Sequence, residues 1–201
     1  MKALEALHKI LDFGQPVLTT QDVGMILNIN NPHASQLLSR LARDKSILSL
    51  KRGLWLIDKK INPFQLVQYL TAPFPSYLSL HTALYFHGMI SQIPQIIYVA
   101  TIARTQRLKT PLGHYSLHHI QPDFFFGCCE MENSETLMAT LEKALIDYLY
   151  LAPTKTKLFH ALPEIEISGK INVKKAFKMI EQIPSKRTRS LVDKKFRVLL
   201  G

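Results

Sequence analysis

Apolar residues along this chain fall into short periodic runs separated by turn-forming residues. Leu4, Leu7, Ile10 and Leu11 recur at helical spacing, and Gly14 with Pro16 ends that helix. Thr19 and Asp22 have the spacing of a capping box, and Val23, Ile26 and Leu27 supply the apolar stripe of a second short helix. Asn31-Pro32 opens a third, which runs to about Asp44. Ile47–Leu50 and Leu54–Ile57 then flank a Lys51-Arg52-Gly53 turn, which reads as a β-hairpin with glycine supplying the unusual backbone angle. Three short helices and a hairpin within about 60 residues is the order of a winged helix-turn-helix.

Asn62-Pro63 starts a further helix through Leu70, and Thr71–Pro75 reads as a domain boundary. Beyond it SLHTALYFHGMI predicts a helix closed by Gly88, QIIYVATI a strand, and HYSLHHI, after the TPLG turn, a second strand. TLEKALIDYLYL from Thr140 predicts a helix stopped at Pro153, and two basic helices follow, around Val173–Ile183 and Ser185–Leu200. The expected class is α+β. Residues 1–60 are expected to form a winged helix-turn-helix, 61–75 a helix and proline-rich linker, and 76–201 a mixed α/β regulatory domain.

Phase sharpens the reading of the third helix, because a helix that reads DNA must bury one face and present the other. Ala34, Leu37, Leu38 and Leu41 point one way and form the core face. Gln36, Ser39, Arg40 and Arg43 lie opposite, with no acidic residue in that sector. Arginine pairs with guanine and glutamine with adenine, and all four side chains can bond phosphate. Lys51 and Arg52, at the tip of an otherwise apolar hairpin, suit contact with the neighbouring phosphates. A solvated polar face gives the same pattern in any amphipathic helix; the combination of helix order, phase and basic tip favours DNA.

Charge supports this division. The 201 residues have a formal net charge of +10. Nine basic against five acidic residues in 1–60 give +4, four against six in 61–150 give −2, and twelve against four in 151–201 give +8. An apolar content of 47% suffices for packed cores. Glu5 and the spaced apolar residues of the first helix argue against a signal peptide, and no apolar stretch approaches the ~20 residues of a membrane helix, so a cytoplasmic protein without membrane association is expected. The adjacent Cys128 and Cys129 lack zinc spacing and are expected to be packing residues.

Three stretches carry a resemblance. Ser79–Ile90 has the form S-L-x-x-A-L-x-x-x-G-(M/L)-I, Val99–Arg104 the form V-x-T-x-x-R, and Glu142–Asp147 the form E-K-A-L-(I/L)-D. With the N-terminal helices and hairpin, they make residues 1–151 resemble the AbiEi family of antitoxin-type transcriptional regulators. The resemblance implies a repressor that binds inverted repeats in double-stranded promoter DNA and counteracts a nucleotidyltransferase-like toxin in phage defence. A solitary regulator without a toxin is equally compatible with one chain.

Other constellations point less clearly to chemistry. His114 and His118 share a strand face while His119 points away, and nothing completes a metal shell. Arg104 and Arg107, at the end of the QIIYVATI strand, suit an acidic partner or a phosphate, although an ion pair with a carboxylate of the following helix is the preferred expectation. Glu142, Lys143 and Asp147 lack the strand spacing of a nuclease, and Lys143 with Asp147 is expected to form a weak surface pair. No phosphate loop, serine elbow or cysteine nucleophile is present. The chain is therefore not expected to be an enzyme or to hold a cofactor, with a nucleic-acid-acting enzyme or a protein-binding module as the alternatives. In the last helix, Leu191, Val192, Phe196 and Leu199 are expected on the buried side.

Overall fold

The computed structural model describes residues 3–132, 134–151 and 171–200. Its class is α+β, and the chain divides into two units: residues 1–63 with 108–113, and 64–107 with 114–201.

The first unit runs α1 (Ala3–Asp12), β1 (Val17–Thr19), α2 (Thr20–Leu27), α3 (Asn31–Arg43), β2 (Leu48–Lys51) and β3 (Leu54–Leu56). β1 is absent from the sequence reading. It pairs antiparallel with β3, Val17 opposite Leu56, and completes a sheet of order β1-β3-β2. The capping box forms reciprocally, Asp22 N–H donating to Thr19 Oγ1 (3.1 Å) and Thr19 N–H to Asp22 Oδ2 (2.8 Å). Asn30, one residue before the expected position, caps α3 by accepting from His33 N–H at 3.0 Å.

Gly24 decides how tightly α2 turns into α3. A Cβ there would lie 3.1 Å from both Asn31 Oδ1 and the Ile29 carbonyl. The core gathers Ile10, Val23, Leu37, Leu38, Ile47 and Trp55 around α3, and each fully buried large aliphatic contributes about 1.5–3 kcal/mol. Of the four apolar residues expected to anchor α1, only Ile10 is fully buried. Leu4 and Leu11 are exposed because the helix rests on the Ala6–Ile10 side.

The second unit contains α4 (Leu66–Thr71), β4 (Ser76–Leu78), α5 (Leu80–Phe86), β5 (Ile96–Thr101), β6 (Gln106–Thr110), β7 (Gly113–His119), β8 (Cys128–Glu130), β9 (Leu137–Ala139), α6 (Leu141–Leu151), α7 (Val173–Glu181) and α8 (Lys186–Leu200). The last three residues of β6 cluster with the first unit. The six strands are ordered β6-β7-β5-β4-β9-β8, with β5/β7 and β4/β9 parallel. The expected strands are β5 and β7; β4, β6, β8 and β9 are additional. α5 and α6 pack together, and α7 and α8 both pack on α6. Tyr77, Leu84, Phe124, Leu145, Tyr148 and Phe196 belong to one buried cluster. No helix among the described residues is long and apolar enough to cross a membrane.

Candidate nucleic-acid interface

α3 buries Ala34, Leu37, Leu38 and Leu41, which turns the opposite face outward. Gln36, Ser39, Arg40 and Arg43 are all exposed. Ser39 Oγ donates to the Ser35 carbonyl at 2.7 Å, which leaves the hydroxyl oxygen free to accept. Arg40 and Arg43 form no ion pair with any described residue. They also sit in the last turn, where positive charge complements the helix dipole, so part of their effect is on the helix itself.

The outward face extends further toward the N-terminus than the phase argument reached. His33 and Ser35 are exposed there, in the first turns of α3. Both fall outside the Ala34–Leu41 arc, and the sequence marks them less strongly than the two arginines.

The hairpin is built to hold its tip in place. Gly53 takes φ +76°, a left-handed conformation that glycine adopts without strain. Its carbonyl accepts from Thr20 N–H at 3.0 Å, and Trp55 Nε1 donates to Thr20 Oγ1 at 3.0 Å, so the start of α2 fastens both the turn and the following strand. The register shifts between Ser49 and Lys51, leaving Leu50 as the bulged residue, itself buried. Lys51 is therefore the last residue of β2, paired with Leu54 and half-buried, and burial pulls its pKa below the usual lysine value. Arg52 at the tip is exposed, with no ion-pair partner among the described residues.

The candidate chemistry of the second unit is arranged otherwise than expected. Lys143 and Asp147 are both fully buried and ion-paired; the surface pair is overturned because α6 is enclosed on all sides. Tyr77 and Ser79 hydroxyls donate to Asp147 Oδ2 at 2.9 and 2.8 Å, and the Lys143 ammonium lies 3.5 Å from the centre of the Phe124 ring. Burial pulls the Lys143 pKa down and the Asp147 charge opposes that; burial with the same carboxylate pushes the Tyr77 phenol far up. The cluster ties α6 to β4 and to the start of α5. Glu142 points elsewhere, pairing with Lys175 at 3.1 Å and accepting from Asn172 N–H at 3.2 Å. Burial raises its pKa, and these partners outweigh that to hold the carboxyl below the usual range.

The histidines do not converge. His114 is exposed, His118 is buried and 2.9 Å from Ser116 Oγ, and His119 Nδ1 lies 3.1 Å from the Ile102 and Ala103 carbonyls. No group of potential metal ligands occurs among the described residues. Burial, with the Arg107 charge and His81 behind it, lowers the His118 pKa to about 4. Arg104 and Arg107 are exposed, and neither makes the expected carboxylate pair among the described residues.

Cys128 packs partly against the core, but Cys129 is exposed because alternate residues of β8 face opposite sides. In α8, Val192 and Phe196 are buried and Leu199 half-buried, whereas Leu191 is 40% exposed, lying off the arc that meets α6. Arg189 donates twice to the Ile183 carbonyl, at 3.0 and 2.7 Å, and Arg197 pairs with Asp193 while lying over Phe177. No protein-family model matches this chain, and no curated protein is significantly similar to it.

Proposed function

We propose that the chain is a DNA-binding transcriptional regulator whose first unit is a winged helix-turn-helix. The observation that carries this is the outward face of α3, where Gln36, Ser39, Arg40 and Arg43 stand exposed on a helix otherwise anchored by its core face. The order α-β-α-α-β-β with a basic-tipped hairpin is that of a winged helix, and supports assigning α3 to the major groove and Arg52, with Lys51 behind it, to flanking phosphate.

Binding to DNA from the chain's own upstream region, measured by fluorescence anisotropy at several salt concentrations, tests the proposal. Arg43→Ala is expected to cost about 1–3 kcal/mol on the preferred site and to relax its sequence preference. Arg52→Ala should weaken all DNA alike and flatten the salt dependence by about one unit. Wild-type affinity and salt slope in both variants would refute the assignment.

The second part of the proposal, autorepression coupled to neutralising a nucleotidyltransferase-like toxin, rests on the motifs at 79–90, 99–104 and 142–147. Co-expression of this chain with the product of an adjacent reading frame should relieve that product's toxicity; unrelieved toxicity would leave a solitary regulator.

A further inference from the structure

The second unit has a half-open pocket of about 240 Å³ outside everything assigned above. One wall is aromatic, formed by the His81 and Tyr98 rings with centroids 4.7 Å apart. Ile90 and Ile96 add aliphatic surface, and Ile93 stands at the rim, 62% exposed. Gln92, Pro94 and Gln95 complete the lining, each glutamine amide offering a donor and an acceptor in one plane. The size lies between the roughly 150 Å³ that holds a benzene ring and the roughly 300 Å³ at which sites for drug-sized ligands begin. A fused heteroaromatic ring fits that interval. A glutamine amide matches the paired donor and acceptor on the edge of a purine. His81 also has a buried Nδ1 without a hydrogen-bond partner among the described residues, which is uncommon in folded proteins.

Positive charge adjoins this pocket. Ile96 and Tyr98 of β5 stand opposite His114 and Ser116 of β7, and residues opposite one another share a sheet face. His114 is exposed and lies about one strand spacing, ~4.8 Å, from the pocket wall. Arg107 is on β6, the next strand out, and its charge reaches both Tyr98 and His118. It has no ion-pair partner among the described residues. The result is an apolar, amide-edged slot near a guanidinium that no described residue pairs.

We propose that this slot binds a purine mononucleotide, with the base against the His81–Tyr98 wall and the Gln92 and Gln95 amides, and the phosphate monoester on Arg107 and His114. The pocket supplies stacking and edge recognition, and Arg107 supplies a fork of donors suited to phosphate oxygens. The site lies within the second unit and stands independently of DNA reading by the first.

Isothermal titration of the full chain with AMP, GMP, UMP, adenosine and inorganic phosphate tests this. AMP or GMP should bind saturably, with UMP, adenosine and phosphate each at least about tenfold weaker. Arg107→Gln should lower the affinity for the mononucleotide to that for the nucleoside, and Ile96→Trp, which fills the slot, should abolish both. Far-UV circular dichroism checks that each variant is folded. As a readout independent of the variants, the ring resonances of His81 and His114 in a carbon–proton spectrum should move with the added mononucleotide. No saturable binding by either purine mononucleotide below about 10 mM, equal affinity for inorganic phosphate, or undiminished binding by folded Arg107→Gln would each overturn the proposal.

Discussion

Replacing Lys143 with methionine keeps an unbranched side chain of similar length and deletes its charge. Asp147 then stays fully buried with the Tyr77 and Ser79 hydroxyls as its remaining donors. Removing one partner of a buried ion pair costs about 3–5 kcal/mol, because the other charge is left uncompensated in a medium that solvates it poorly. The new sulfur, placed near Phe124 and Phe126, returns about 0.3–1.5 kcal/mol. The net expectation is a loss of about 2–4 kcal/mol, a large part of the roughly 5–15 kcal/mol typical of a domain. At a urea dependence of about 2 kcal/mol per molar, the middle of the usual range, the midpoint followed by far-UV circular dichroism falls by about 1–2 M. Lys143→Met/Asp147→Leu removes the stranded carboxylate and should lose less than the sum of the two single variants. The reasoning fails if Lys143→Met moves the midpoint by less than about 0.5 M, or if the two substitutions prove additive to within about 0.5 kcal/mol.

Two further expectations concern the hairpin and the buried histidine. Gly53→Ala meets no atom closer than Thr20 Oγ1 at 3.9 Å, so its cost is the left-handed backbone alone, about 1–2 kcal/mol. Urea unfolding followed by Trp55 fluorescence measures it, and an unchanged midpoint would contradict the assigned turn. His118 is neutral in the folded chain, with its pKa lowered from 6.5 to about 4, so the unfolded chain takes up a proton first as the pH falls. Its contribution is complete above pH 6.5 and declines toward pH 4 by about 1.4 kcal/mol per unit, about 3 kcal/mol in all. His118→Gln should flatten that decline in urea titrations across the range; an identical pH profile would exclude His118 as its source.

Much of the first unit was legible because its signals are local. The phase of α3, the Thr19–Asp22 box and the glycine of the hairpin are each read within about a dozen residues of chain, and the structure realises all three. β1 was not legible. Its three residues become a strand only through pairing with β3, nearly forty residues on. The same holds for β4, three residues long and paired with β5 and β9, whereas β8 and β9 pair locally as a hairpin whose strands are too short to show an alternation.

Lys143 and Asp147 were misread for a different reason: spacing by four is identical in a surface pair and a buried one. What distinguishes them is the rest of α6, where Leu141, Ala144, Leu145, Ile146, Tyr148 and Leu149 leave no polar face for a charge to occupy. A helix apolar all round is buried, and its charges with it. The placement of Cys129 and Leu191 in the core failed because residue type outweighed position within the element.

The junction between β4 and α5 constrains how the chain can be made. Ser79 precedes the helix but does not cap it, since its hydroxyl goes to Asp147, and Leu80 takes φ +52°, a conformation costly for a branched side chain. The start of α5 is thus held by a residue 68 positions later in the chain. During synthesis from the N-terminus, this corner cannot settle until Asp147 has left the ribosome. At about 5–20 residues per second, that leaves Ser79 and Leu80 several seconds without the carboxylate that holds them.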